Sequence, residues 1–358
     1  MDERLFSEDA SHRADETWQI MPIGPMDLEL GGHLPAVEIA YETWGTLSAA
    51  GDNAVLVCHA LSGDSHPVGW WSALVGPGKA IDTDRYFVIG SNVLGGCRGS
   101  TGPGSLLSSA ARPGGQSPLR LGSAFPKITV GDMVTAQQRL LAALGIERLW
   151  LACGGSMGGM QALEWARRDA CDRAWITASA PAHNAMQIAF NEVARQAIFA
   201  DPAWQGGDYE VGAGPDRGLA VARMAGHLSY LSEAAFEAKF GRRRQQDAPE
   251  LFQVESYLRY QGKKFTTRFD AGSLVALTEA IDRYECVSLA GSRTRFLVTS
   301  FSSDWLYPPH QSRALAQMAR EAGCPVEDHD IDLPYGHDAF LLDDQIQAGL
   351  VRDWLARP

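Results

Sequence analysis

The segment LWLACGGSMGG, residues 149–159, constrains the fold more than any other stretch of the chain. An apolar run ends in paired glycines around one serine, and a helix-like segment, residues 160–168, follows. A flexible Gly/Ser linker rarely has such flanks; a strand that turns directly into a helix does. Glycines at that turn let neighbouring backbones approach where a Cβ would collide. Further runs repeat the theme. Residues 54–58 (AVLVC), 86–90 (YFVIG), 175–178 (WITA) and 295–299 (RFLVT) are short and apolar, as expected of strands covered on both faces. Residues 37–44 alternate like a half-buried strand. Met133, Ala136, Leu140, Leu141 and Leu144 follow the helical period, with Asp132 early and Gly145 just beyond. Strands alternating with helices predict an α/β fold with a mostly parallel sheet.

From residue 184 the alternation stops, and it resumes at Arg295. The intervening chain is helix-like, most clearly at residues 190–199, 217–230 and 233–240, with residues 242–247 as an exposed connection. The reading is a core domain of residues 1–183 and 292–358 with an inserted helical lid, residues 184–291. A length of 358 residues suits this division, since one domain takes roughly 150. The net charge of −12 argues against general nucleic-acid binding, while leaving room for a local basic patch. The first residues, MDERLFSEDASHRADETW, lack the apolar centre of a secretory signal. No apolar run reaches the roughly 18 residues of a membrane span. The six cysteines form no CxxC pair, and Cys58 and Cys153 sit in apolar runs. Free buried thiols in a reducing cytoplasm are expected.

Residues 154–158, GGSMG, fit the G-x-S-x-G pattern of a nucleophile elbow. There Ser156 would stand at a helix N-terminus, whose unpaired N–H groups and partial positive charge suit an oxyanion. The competing reading is a Gly-rich turn around a phosphate, but the spacing matches neither a P-loop nor G-x-G-x-x-G. A serine hydroxyl needs a base, and the base needs an orienting carboxylate. In this architecture they follow in the order Ser, Asp, His. The histidines after Arg295 are His310, His329 and His337. His337 lies in a turn before a C-terminal helix, where the base belongs. Asp304 is the first carboxylate beyond the strand at 295–299; a helix cap or turn aspartate is the plainer alternative. The Leu61 N–H, in the loop after residues 54–58, and the Met157 N–H form the natural oxyanion pair. His59 precedes the serine and is expected to shape that loop.

These motifs belong to a larger set: YETWG at 41–45, HALSGD at 59–64, GGCRGSTGP at 95–103, GGSMGGMQ at 154–161, FNEVARQ at 190–196, VESYL at 254–258, YQGKKF at 260–265 and GHDAF at 336–340. The set spans nearly the whole chain. It resembles the homoserine O-acyltransferases of methionine biosynthesis, which have the α/β-hydrolase fold. The resemblance implies ping-pong acyl transfer from acyl-CoA through an acyl-serine to the γ-hydroxyl of L-homoserine. It assigns the triad to Ser156, Asp304 and His337, and substrate contacts to Arg195 and Asp338. Without it, Arg195 reads as an exposed helix residue. Succinyl-using members carry an Arg two residues after the triad Asp; here that position is Leu306. An apolar side chain there favours acetyl, because an unpaired buried carboxylate is costly. Arg98 is a further cation that could meet a succinyl carboxylate or a phosphate. The expectation is therefore acetyl-CoA as co-substrate, no metal or permanently bound cofactor, and a cytoplasmic homodimer joined through the lid helices. The alternatives are succinyl transfer, serine as acceptor, or a water-using esterase or thioesterase.

Overall fold

The computed structural model describes residues 18–106, 120–342 and 345–357. Eight strands form one sheet. They are Gln19–Asp27 (β1), His33–Trp44 (β2), Ala54–Cys58 (β3), Phe87–Ser91 (β4), Leu149–Gly155 (β5), Cys171–Thr177 (β6), Arg295–Phe301 (β7) and Val326–Ile331 (β8). Their spatial order is β1-β2-β4-β3-β5-β6-β7-β8. The chain is parallel from β4 to β8, and β2 runs antiparallel to both its neighbours.

Successive side chains in a strand face opposite sides, and here both sides are dry. Leu56, Ala152 and Ile176 join a core on one face; Val55, Val57, Leu151 and Trp175 join a second core on the other. That is why the central strands are continuous apolar runs. Trp71 stacks on Trp175 with ring centroids 5.0 Å apart and anchors the second core.

The helices of the core are Val130–Ala143 (α1) and Met157–Arg167 (α2); Ala185–Phe199 (α3), Asp216–Tyr230 (α4), Glu233–Lys239 (α5), Gln253–Thr266 (α6) and Ala271–Arg283 (α7) come next; Pro309–Glu321 (α8) and Gln345–Leu355 (α9) complete the chain. Asp132 does more than favour the start of α1. It completes a reciprocal capping box with Thr129, and such a cap contributes about 1 kcal/mol. Its second oxygen also accepts from the Glu29 N–H at 3.0 Å.

The helices α3–α7 leave and rejoin the sheet at one place. Ala182 bridges Glu285, and the Cys286 N–H donates to the Pro181 carbonyl at 2.8 Å. Two strands went unanticipated, β1 and β8, and both lie at sheet edges. The β8 sequence, VEDHDI, is mostly half-buried, so it carries no apolar run. His329 thus lies within a strand. The six cysteines are all free thiols, and among them only Cys97 is not fully buried. No described helix is long and apolar enough to cross a membrane.

Candidate active site

Ser156 alone carries the turn from β5 to α2. Its backbone is strained, with φ 56° and ψ −124°, a conformation that costs about 1–3 kcal/mol and persists only where the surroundings enforce it. Those surroundings explain the glycines. A Cβ at Gly154 or Gly158 would strike the Cys58 carbonyl of β3, and one at Gly155 would meet the Phe340 ring at 2.5 Å. The elbow is therefore wedged between β3 and the segment that carries His337.

That segment is a short 3-10 helix, Gly336–Leu341. His337 places Nδ1 2.8 Å from Asp304 Oδ2. Both side chains are almost sealed, at 4% and 0% exposure. The other Asp304 oxygen accepts the Leu306 and Tyr307 N–H groups at 3.0 and 2.8 Å. An ionised carboxylate only accepts, so it fixes the histidine proton on Nδ1 and leaves Nε2 a lone pair. Tyr307 stacks on the imidazole, centroids 4.9 Å apart at 21°. Tyr307 and Ser156 line the same cavity. His310, by contrast, is exposed at the start of α8, and His329 is half-buried in β8.

A narrow cavity of about 60 Å³ opens at Ser156. Leu61, expected to donate to an oxyanion, is on its wall. Met157, as the first residue of α2, has a backbone N–H with no partner within the helix. His59 shapes the loop as expected. Its Nδ1 meets the Ala60 carbonyl at 2.7 Å, and Nε2 accepts the Val93 N–H at 3.1 Å. Burial pushes its pKa down, and both ring nitrogens are engaged within the loop. Gln161 donates to the His59 carbonyl at 3.2 Å and braces the loop from beneath.

Comparison with known proteins agrees with this fold. A family profile described as alpha/beta hydrolase fold matches residues 53–344. The curated homoserine O-acetyltransferase of Solidesulfovibrio magneticus is 48% identical, covering 93% of this chain and 89% of that protein. The chain belongs to the homoserine O-acetyltransferase family. Among solved structures, the homoserine O-acetyltransferase from Bacillus anthracis aligns with a TM-score of 0.86 at 26% identity, covering 95% of this chain and 98% of that one. Esterase E22 aligns with a TM-score of 0.85 at 27% identity, covering 94% and 99%.

The structure shows the surroundings of Arg195 and Asp338, the substrate residues that the resemblance implies. Arg195 is not an exposed helix residue: it is buried, with Nη1 2.7 Å from Asp282 and Nη2 3.0 Å from Glu192. It does not line the cavity. Arg223 of α4 does, and the sequence reading missed it. Its guanidinium lies 4.8 Å from the Phe265 centroid and 5.6 Å from that of Tyr230, and Nη1 reaches the Ser62 hydroxyl at 3.4 Å. A signal was present. Leu219, Ala222 and Arg223 share the buried stripe of α4, and a charge on an apolar stripe is unusual. Asp338 is half-buried beside His337. Leu306 lines the cavity, whereas Arg98 lines a separate groove with Arg120 and Arg268. No cluster of His, Cys, Asp and Glu among the described residues is arranged to hold a metal ion.

Proposed function

We propose that this chain transfers an acetyl group from acetyl-CoA to L-homoserine through an acyl-serine at Ser156. The observation that carries the reading is the sealed Asp304–His337 pair together with a strained serine that lines a cavity walled by α3, α4 and α7. His337 Nε2 takes the Ser156 proton as Oγ attacks the thioester carbon. The oxyanion is held by the Leu61 and Met157 N–H groups, each worth roughly 3 kcal/mol in such a site. Collapse expels the CoA thiolate, which takes the proton from His337. The homoserine γ-hydroxyl then gives its proton to His337 and attacks the acyl carbon, and Ser156 regains its own proton as O-acetyl-L-homoserine leaves. The helices α3–α7 act as the lid, keeping water from the acyl-serine until the acceptor arrives.

A zwitterionic acceptor calls for one cation and one anion. Arg223 supplies the cation at the cavity wall, and Asp338 the anion for the ammonium. Arg195, engaged by two carboxylates, acts instead within the polar support of the site. Arg223→Ala should raise the homoserine KM roughly 10- to 100-fold, the value of a charge-assisted hydrogen bond, and leave single-turnover acylation near wild type. Arg195→Ala should not show that split; if it does and Arg223→Ala does not, the assignment is reversed. Leu306 sets the acyl preference. Leu306→Arg is expected to move the succinyl-CoA to acetyl-CoA ratio of kcat/KM upward by roughly tenfold or more, and an unchanged ratio would remove the argument for acetyl.

The likeness to esterase E22 makes hydrolysis the second reading. Thiol release from acetyl-CoA with and without L-homoserine separates them: the transferase needs the acceptor for steady turnover, and equal rates would establish a hydrolase. Exposed Val193, Phe199, Val221 and Leu228 on α3 and α4 support a homodimer joined there, and the free thiols suit a reducing cytoplasm.

A further inference from the structure

The motif GGCRGSTGP, residues 95–103, has no part in the site described so far. It follows β4 and walls a groove of about 520 Å³, where Arg98, Arg120 and Arg268 stand against one acid, Asp270. Arg120 is committed: it pairs with Asp270, and its guanidinium lies 4.1 Å from the Tyr209 ring centroid. Arg268 donates to the Ser62 carbonyl at 3.0 Å. Arg98 uses its backbone N–H on Asn92 Oδ1 at 3.2 Å, while its half-buried guanidinium has no ion-pair partner among the described residues. The turn that carries Arg98 is braced. The Ser100 hydroxyl donates to the Asn92 carbonyl at 2.6 Å, and the Gly95 N–H to the Thr101 carbonyl at 2.8 Å. A chain of net charge −12 therefore keeps a fixed cationic recess. Arginine on a rigid frame suits phosphate, which a guanidinium engages through paired hydrogen bonds.

The recess adjoins the catalytic cavity at two points. Ser62, whose carbonyl Arg268 holds, lines that cavity. Asn92 Nδ2 and the Val93 N–H, at the start of the arginine loop, lie 3.3 and 3.1 Å from Nε2 of His59, which shapes the loop that carries Leu61. Both loops leave the same edge of the sheet as the elbow, because β3, β4 and β5 are parallel and β3 lies between the other two. Two strand spacings are about 10 Å. In CoA the pantetheine arm separates the sulfur from the phosphates by a backbone comparable to about four residues, roughly 14 Å when extended. A thioester at Ser156 thus brings the phosphates within reach of the recess. The cavity at Ser156, about 60 Å³, has no room for the nucleotide, since sites for ligands of that size take roughly 300 Å³ or more. An acyl carboxylate is a poorer match for Arg98, because Leu306 lines the cavity and Arg98 does not.

We propose that the recess at Arg98 and Arg268 binds the phosphates of the CoA donor, with Arg98 as the cation that meets them. The proposal deepens the acetyl-CoA reading and rests on it. Calorimetric titration of the whole protein with CoA tests it without turnover. Arg98→Ala should weaken CoA binding roughly 10- to 100-fold, the loss of a charge-assisted hydrogen bond, and Arg98→Glu should weaken it further. Added salt should lower the wild-type affinity more steeply than that of Arg98→Ala. In steady state the kcat/KM ratio of acetyl-CoA to S-acetylpantetheine, which has the same thioester and arm but no nucleotide phosphates, should fall roughly tenfold or more in Arg98→Ala. An unchanged CoA affinity, or an equal loss with both donors, would overturn the proposal and leave the acyl-serine reading standing. So would a recess that takes inorganic phosphate through Arg98 while binding CoA no better than pantetheine. A wild type that binds CoA through Arg98 yet transfers no acetyl group would uphold the recess and sink the acetyl-transfer reading instead.

Discussion

Ser156→Ala is expected to lose turnover by on the order of 10⁶-fold, the cost of removing the nucleophile from a triad that works as a unit. The fold should survive. Alanine keeps the Cβ that the strained backbone at φ 56° already accommodates, and it removes only an oxygen at the cavity floor. The glycines that shape the elbow are untouched, so the melting temperature should stay close to wild type. Steady-state thiol release in the presence of L-homoserine checks this. A variant retaining a tenth of the activity would reject covalent catalysis at this residue.

Asp304→Asn should cost roughly 10⁴-fold in kcat, as expected when the base is locked in the wrong tautomer. The geometry specifies how. The carboxylate takes the His337 Nδ1–H with one oxygen and two backbone N–H groups with the other. An asparagine would keep its carbonyl on the two backbone donors and turn its NH₂ toward His337. Nδ1 would then have to accept, and the proton would move to Nε2, where the base is needed. Folding should change little, because the turn at residues 304–307 keeps its acceptor. A loss below tenfold would mean that Asp304 serves only as a turn residue.

The parts of the molecule that could be read from sequence share a physical property. The central strands are covered on both faces, so residues 54–58 and 149–153 betray themselves as apolar runs. The elbow is legible because its glycines answer to the Cys58 carbonyl and the Phe340 ring. Asp304 and His337, which chain order singles out once the elbow is recognised, are side chains that the structure joins at 2.8 Å. The edge strands β1 and β8 carry no such signal, because half-exposed strands tolerate polar residues. Least legible are side chains whose roles depend on distant partners. His183 and Asp282 are 99 positions apart, and Arg195 and Asp282 are 87 apart. Nothing local in FNEVARQ announces that Arg195 turns inward to a carboxylate. Arg223 lay between these extremes: its place on an apolar stripe was visible, and its place at the cavity wall was not.

The most direct measurement is to mix the protein with acetyl-CoA alone, quench, and map the acetyl group by peptide mass. The account predicts one equivalent of free CoA per active site, acetyl on Ser156, and its discharge as O-acetyl-L-homoserine when L-homoserine is added. Release of CoA only after the acceptor is present, with Ser156 unmodified, would contradict it.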